Sequence, residues 1–199
     1  MKKTVASEAI HQLFTEARTY TAWLPDEISD DTLREVYDLM KWGPTSANCC
    51  PARIVFVRKG PKKELLISCL DPGNVPKVKA APVTAIIAMD QKFYDFLPKL
   101  FPPAPGYRDV FASNRNLSES TAFRNGSLQG AYFIMAARSL GLDCGPMSGF
   151  NNGKLDELFF SGTSWRSNFL CNIGHGDPAK LNPRSPRFRF EEACRIESD

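Results

Sequence analysis

Apolar residues recur at helical spacing in several stretches of the chain and crowd into short unbroken runs in three others. Ile10, Leu13, Phe14 and Ala17 share one side of a helix predicted over 7–18, with Ser7 placed to cap its first turn and Pro25 beyond its exit. A second helix is predicted over 29–41: Ser29 caps it, Asp30 and Asp31 suit its positive end, and Leu33, Val36, Tyr37 and Met40 make its buried stripe. A third opens at Pro61, in the first turn where proline is tolerated, and buries Leu65, Leu66, Cys69 and Leu70. From Ser118 to Leu140 the pattern is one long helix stopped by Gly141. Its centre, Gly126 to Ala131, is rich in small residues, and its apolar residues occupy more than one face. It is therefore expected to be buried on most sides, as core and as dimer interface. A short helix runs through Leu155, Leu158 and Phe159. Ile54–Val57, Val83–Met89 and Asn168–Gly174 read as buried strands, the second apolar on both faces and so central. Few strands between long helical stretches give an α+β or α/β domain spanning residues 1–199.

The polar segments between these elements are richer than connections need. Gly43-Pro44-Thr45-Ser46-Ala47-Asn48-Cys49-Cys50-Pro51 carries far more hydrogen-bonding capacity than a reversal requires, so it is either a ligand-binding floor or a surface loop with good turn chemistry. Asp71-Pro72-Gly73-Asn74 is a turn, followed by a short stretch through Lys77 and Lys79. Pro98, Pro102, Pro103, Pro105 and Gly106 exclude regular structure over 98–106 and suggest a mobile excursion or lid. Residues 141–150 form a second dense Gly/Pro/Ser loop. Arg18 lies at a helix exit, where it can face the dipole's negative end, reach a phosphate or stay solvated.

Composition narrows the classes. Hydrophobic residues at 43% and charged residues at 24% are ordinary globular values. A net charge of +3 with scattered basic residues argues against a nucleic-acid protein. The start resembles a leader but Glu8, His11 and Gln12 break its apolar core, and no window suits a membrane span. Six cysteines without C-x-x-C spacing and only two histidines argue against a metal site and favour free thiols in a reducing cytoplasm.

Protein nucleophiles are poorly supported as well. No G-x-S-x-G elbow is present, and His175 lies in a Gly-His-Gly-Asp turn with no evident partner, which favours a structural or solvated role. Phosphate loops of the G-x-x-x-x-G-K-[ST] and G-x-G-x-x-G kinds are missing. Adjacent Cys49 and Cys50 would close a strained ring if joined, so thiol redox work is disfavoured. Hydrogen-bonding loops and separated arginines without a nucleophile are the profile of a protein whose cofactor carries the chemistry.

Four of these segments resemble the nitroreductase family. The 43–51 loop is similar to its flavin-binding Pro-Ser-x-x-Asn-x-Gln-Pro-Trp pattern, and Gly73-Asn74 with Lys77 and Ala81-Pro82 to its second loop. Gly141-Leu142-Asp143 with Gly145-Pro146-Met147-Ser148-Gly149-Phe150 resembles its Gly-Leu-Asp-x-x-Pro-x-x-Gly-Phe segment, and Arg187-Phe188-Arg189-Phe190-Glu191-Glu192 its closing motif. Met40–Cys49, Thr121–Asn125 and Phe190–Cys194 resemble most closely the short branch containing the malonic semialdehyde reductase of uracil degradation.

The resemblance implies an α+β fold with a mostly antiparallel central sheet, flanking helices and a long buried helix, in an intertwined homodimer that binds FMN between subunits. Arg18 and Arg187 would hold the FMN phosphate with Arg184 nearby and Thr19 and Tyr20 in the same segment. Thr45, Ser46 and Asn48 would meet the ribityl chain and ring, Asn74 the pyrimidine edge, and Pro146, Met147, Ser148 and Gly149 the ring near N5. NADH or NADPH, with Lys77 as its candidate contact, would deliver hydride to be passed to an aldehyde, nitro or quinone acceptor, with Arg115 or Arg124 as candidate cations for an acidic one. No catalytic protein residue and no metal are implied. The chain departs from the family at Cys50 and Ala52, where relatives have Gln and Trp, at Ala22, where they have Lys, and at Ser148, where Glu is common.

Overall fold

The computed structural model describes residues 3–198; Met1 and Lys2, which open the stretch weighed as a leader, lie outside the described residues. The helices are α1 (Ser7–Ile10), α2 (Asp30–Met40), α3 (Pro61–Ile67), α4 (Val75–Ala80), α5 (Leu97–Leu100), α6 (Tyr107–Ala112), α7 (Arg115–Ser139), α8 (Asn152–Phe160) and α9 (Phe190–Ala193). The strands are β1 (Ala52–Arg58), β2 (Val83–Asp90), β3 (Asp143–Met147) and β4 (Trp165–Gly174). They form one antiparallel sheet in the order β1-β2-β4-β3.

The expected central strand is β2, and its side-chain alternation builds two cores. Val83, Ala85 and Ile87 pack under α2 and α7 with Leu33, Val36, Met40, Phe133 and Ala137. Ile86 and Ala88 face the other way, joining Leu66, Val78, Leu155 and Phe160 from α3, α4 and α8. Ser29 caps α2 as expected, its hydroxyl accepting from the Thr32 N–H at 3.0 Å. Gly130 lets α7 lie directly on the sheet: a Cβ there would stand 2.5 Å from the Phe169 ring.

Several expectations are corrected. The first helix is short: α1 passes into a π-turn over His11–Thr15, its cap is Ala6 rather than Ser7, and Phe14 is exposed. Its apolar side meets little of its own chain beyond the end of α7, where Gln12 donates to the Arg138 carbonyl. Tyr37 and Leu65 sit at the margins of their stripes and are exposed. β1 is a half-buried edge strand rather than a buried one, because only β2 pairs with it among the described residues.

The 98–106 stretch is regular only at its start, residues 98–100 being helical and 101–106 lying outside any element as expected. Pro98 occupies the first turn of α5, and Leu97 is fully buried beside Phe93, which meets Phe111 edge-on at 5.0 Å. Residues 143–147 of the supposed second loop form β3, where Pro146 is tolerated because the strand is an edge. The stretch through Lys77 and Lys79 is helical as α4. Finally, α7 is buried along one face only. Its opposite side presents Phe123, Leu128 and Tyr132 to solvent, since a single sheet can cover one side of one helix.

Candidate functional site

The Thr45–Cys50 turn carries unusual backbone strain. Ala47, Asn48 and Cys50 adopt φ of 50°, 48° and 39°, a left-handed region that costs a side-chain-bearing residue about 1–3 kcal/mol. Only surrounding structure can hold such a turn. The Asn125 Oδ1 accepts from the Ser46 N–H at 2.8 Å, and the Gln129 Oε1 accepts from the Ala52 N–H at 2.8 Å. Within the turn, the Thr45 Oγ1 accepts from the Cys50 N–H at 3.2 Å, and the Asn48 amide donates to the Leu100 carbonyl at 2.8 Å. Asn125 and Gln129 are 2% and 5% exposed, and sequence reasoning passed over both. The available signal was two amides spaced i, i+4 on an otherwise small-residue helix face. Cys49 beneath the turn is fully buried, which pushes its thiol up to about 12, opposite to the lowered pKa of reactive cysteines.

A second cluster assembles on the β3 edge. The segment Arg18–Tyr20 runs beside it, Thr19 bridging Cys144 in parallel and the Tyr20 N–H donating to the Cys144 carbonyl at 3.0 Å. Gly145 is obligatory here, since a Cβ would come within 2.5 Å of the Tyr20 carbonyl oxygen. At the far end of β3 the Asn74 amide donates to the Gly149 carbonyl at 3.0 Å while its oxygen accepts from the Lys77 ammonium at 3.0 Å. The Asp71 N–H donates to the same Gly149 carbonyl. Behind them Thr84 donates to Asn172 at 2.6 Å, and Asn172 donates to the Lys77 carbonyl. Pro146 and Ser148 are exposed, and Met147 and Gly149 half-buried, along the same edge.

The arginines divide. Arg18 donates to the Asn182 carbonyl at 2.5 Å, and Arg184 to the carbonyls of Thr15 and Ala17 at 2.9 and 3.2 Å, so these two are laced together at the crossing of the N- and C-terminal segments. Arg187 instead donates to the carbonyls of Ser185 and Pro186 in the exposed tail and is not joined to them. Arg115 pairs with Glu119 at 2.7 Å, and Arg124 lines a shallow cleft with Phe123 and Leu128; neither is hydrogen-bonded to either cluster. Burial holds the Asp143 carboxyl above its usual range, partly offset by the Gly176 N–H and by the charges of His175 and Arg138. His175 itself lies 3.2 Å from Asp26 at the surface, away from any nucleophile pairing. Among the described residues no group of three or more His, Cys, Asp or Glu could hold a metal ion, and no helix is long and apolar enough to cross a membrane.

One chain does not bring the two clusters together. The Thr45–Cys50 turn leads into β1, the Arg18, Asn74 and Gly149 cluster lies on β3, and β2 and β4 stand between. Three inter-strand steps separate the two edges, roughly 14 Å.

This architecture is shared with known proteins. A structure from Bacillus subtilis described as the nitroreductase ydfN superposes with a TM-score of 0.84 at 18% identity, covering 96% of this chain and 100% of that one. A nitroreductase from Exiguobacterium sibiricum 255-15, solved in complex with FMN, gives 0.86 at 16% identity over 98% and 100%. Residues 15–175 match the Nitroreductase family, and the chain belongs to it. A relative from Ralstonia pickettii with the provisional name NADH dehydrogenase/NAD(P)H nitroreductase HadB is 55% identical over 193 residues, 96% of this chain and 98% of the relative.

Proposed function

We propose that the protein is an NAD(P)H-dependent FMN oxidoreductase that works as a homodimer, each flavin held by the β3 cluster of one protomer and the Thr45–Asn48 turn of the other. The observation carrying this reading is the placement of two polar clusters on opposite edges of one sheet, the β3 one built around Gly145 and Gly149 and the other around a strained turn. Their chemistry fits FMN. Arg18 and Arg187 would hold the phosphate with Arg184 nearby; Arg18 and Arg184 already meet at one crossing, and Arg187 would have to turn from the Ser185 and Pro186 carbonyls to join them. Asn74 offers both a donor and an acceptor to a pyrimidine edge, and Gly149 leaves room where a Cβ would meet Asn74 at 2.6 Å. Thr45, Ser46 and Asn48 supply the opposite wall, with Thr19, Tyr20, Pro146, Met147 and Ser148 completing the nearer one.

Bound there, FMN would supply hydride-transfer chemistry between NADH or NADPH and an acceptor. The chain's own part is to orient the partners and to place cations and N–H donors near the developing negative charge. Lys77, hydrogen-bonded to Asn74 at 3.0 Å, brings a cation to that edge. Dimerisation is supported by the bare Phe123, Leu128 and Tyr132 stripe of α7, the unpaired edge of β1 and an extended tail from Leu181 to Arg189. Six unpaired thiols suit a reducing cytoplasm.

The acceptor is a small aldehyde, nitro compound or quinone. Malonic semialdehyde, giving 3-hydroxypropionate, is the reading that the branch resemblance favours; the name of the Ralstonia pickettii relative favours nitro reduction. Comparing kcat/KM for malonic semialdehyde and a nitroaromatic decides between them. The cofactor is tested first: the purified protein is expected to be yellow, to bind FMN and to be bleached by NADH or NADPH in stopped flow. A preparation that takes up no FMN refutes the proposal, and one that binds FMN but is not reduced leaves only a flavin-binding protein. Arg18→Ala with Arg187→Ala is expected to weaken FMN binding at least tenfold; unchanged affinity would remove the phosphate assignment.

A further inference from the structure

The β3 cluster holds a carboxylate that the flavin assignment leaves unused. Asp71 precedes the Pro72–Asn74 turn, and its backbone is locked on both sides. Its N–H donates to the Gly149 carbonyl at 3.0 Å, and its own carbonyl accepts from the Asn74 N–H at 2.9 Å. The side chain converges with that of Asn74 on one point. A Cβ built on Gly149 would stand 2.6 Å from the Asn74 amide nitrogen and 2.9 Å from an Asp71 carboxylate oxygen, so glycine at 149 is what lets both groups reach it.

The charge of this carboxylate is not answered within the chain. Asp30, Asp31, Asp38 and Asp90 are each paired with a lysine or arginine, whereas the exposed Asp71 side chain has neither an ion pair nor a hydrogen bond among the described residues. The Lys77 ammonium, at the next turn of chain, is directed to the Asn74 oxygen at 3.0 Å instead. Lys77 therefore meets the oxygen end of the Asn74 amide, and Asp71 lies toward its nitrogen end. A cation and an uncompensated anion flank the side chain assigned to the pyrimidine edge.

We propose that Asp71 lowers the reduction potential of bound FMN, opposing Lys77 across Asn74. A hydride carries two electrons and one proton, so its transfer from NADH or NADPH leaves one added negative charge on FMN and an oxidised nicotinamide bearing a positive one. A fixed cation at the pyrimidine edge favours the added charge, and a fixed carboxylate opposes it. Asp71 thus weakens the hold on reduced FMN relative to oxidised FMN, which strengthens hydride donation to the acceptor and weakens uptake from the nicotinamide. This inference rests on the FMN reading and adds a potential-tuning residue to it. Asp71 acts by its charge and takes no part in the transfer itself.

The test is the midpoint potential of the FMN-loaded protein, read spectrophotometrically against a reference dye, with the Kd of oxidised FMN measured on the same preparations. Asp71→Asn keeps the shape of the side chain and removes its charge. It is expected to raise the affinity for reduced relative to oxidised FMN about fivefold, a rise of about 20 mV for a two-electron couple. The rise is expected to shrink with added salt, because the carboxylate is exposed. Lys77→Gln is expected to move the potential the other way, and Asp71→Glu, which retains the charge, to leave it near that of the unsubstituted protein. An unchanged or lowered potential in Asp71→Asn overturns the proposal, as does an equal rise in Asp71→Glu, which would trace the effect to packing. A protein that takes up no FMN fails the underlying reading, whereas one that holds FMN at a potential indifferent to Asp71 fails this inference alone.

Discussion

Replacing Gly149 by alanine strikes the β3 cluster at its tightest point. A Cβ at that position would lie 2.6 Å from the Asn74 amide nitrogen and 2.9 Å from an Asp71 carboxylate oxygen, the first about 0.8 Å inside the 3.4 Å at which ordinary contact begins. Asn74 cannot simply lean away. Its amide is tied to the Gly149 carbonyl at 3.0 Å and its oxygen to Lys77 at 3.0 Å, so relief of the clash breaks both bonds. At a net worth of about 1 kcal/mol each, the variant loses about 2 kcal/mol of stability. For a chain of 199 residues that is a fall in Tm of about 4–8 °C. The displaced amide also leaves the flavin without its pyrimidine-edge partner, and FMN affinity is expected to drop about tenfold. Thermal unfolding of the apoprotein and a fluorescence titration with FMN read the two effects separately. Gly73→Ala is the control, because nothing lies within 4 Å of its Cβ position. If Gly149→Ala binds FMN as tightly as the unsubstituted protein while Gly73→Ala does not, the placement of Asn74 against the flavin is wrong.

Three further outcomes follow from other parts of the molecule. Asp90 accepts from Arg53, from the Lys92 N–H and from Ser164, so Asp90→Ala strands a partly buried guanidinium and is expected to cost about 3–5 kcal/mol in urea unfolding; a loss under 1 kcal/mol would mean that solvent replaces the carboxylate freely. Brief iodoacetamide treatment near pH ~8 is expected to label Cys50 and Cys194, read by peptide mass spectrometry, and to spare Cys49, Cys69, Cys144 and Cys171, which are buried; early labelling of Cys49 would contradict its burial and its raised pKa of about 12. Burial lowers the Lys63 ammonium below its ordinary 10.5, so the unfolded chain binds the extra proton. Stability relative to Lys63→Met should therefore rise with pH between the lowered value and 10.5, and a pH-independent difference in chemical unfolding would show the ammonium to be solvated.

Much was legible in the chain itself. The alternation along β2 and the stripe of α2 announced the two layers of core, because burial follows the period of the backbone. The 43–51 and 141–150 segments stood out as richer than a reversal needs, and four motifs in order pointed to the family that residues 15–175 match. Other features left little local trace. Residues 143–147 look like a loop by composition and become a strand only because β4 offers an edge to pair with. Pro98 looks like a breaker and is accommodated in a helix whose neighbours fill an aromatic core. Asn125 and Gln129 look like helix-surface amides, yet they hold a strained turn 79 and 77 residues away along the chain.

The sequence by itself determined the main elements (α2, α3, α7, α8, β1, β2 and β4), most residues of the two polar clusters and the family, since propensity, periodicity and motif chemistry are properties of neighbouring residues. Only the tertiary structure decided where the clusters stand: on opposite edges of a four-stranded sheet, with α7 bare on its outer face and the Leu100 carbonyl tied to the strained turn. The reason is physical. Strand order and ion pairing are long-range choices, made by burial and by the competition of every cation for a limited set of carboxylates, and no local pattern records their outcome.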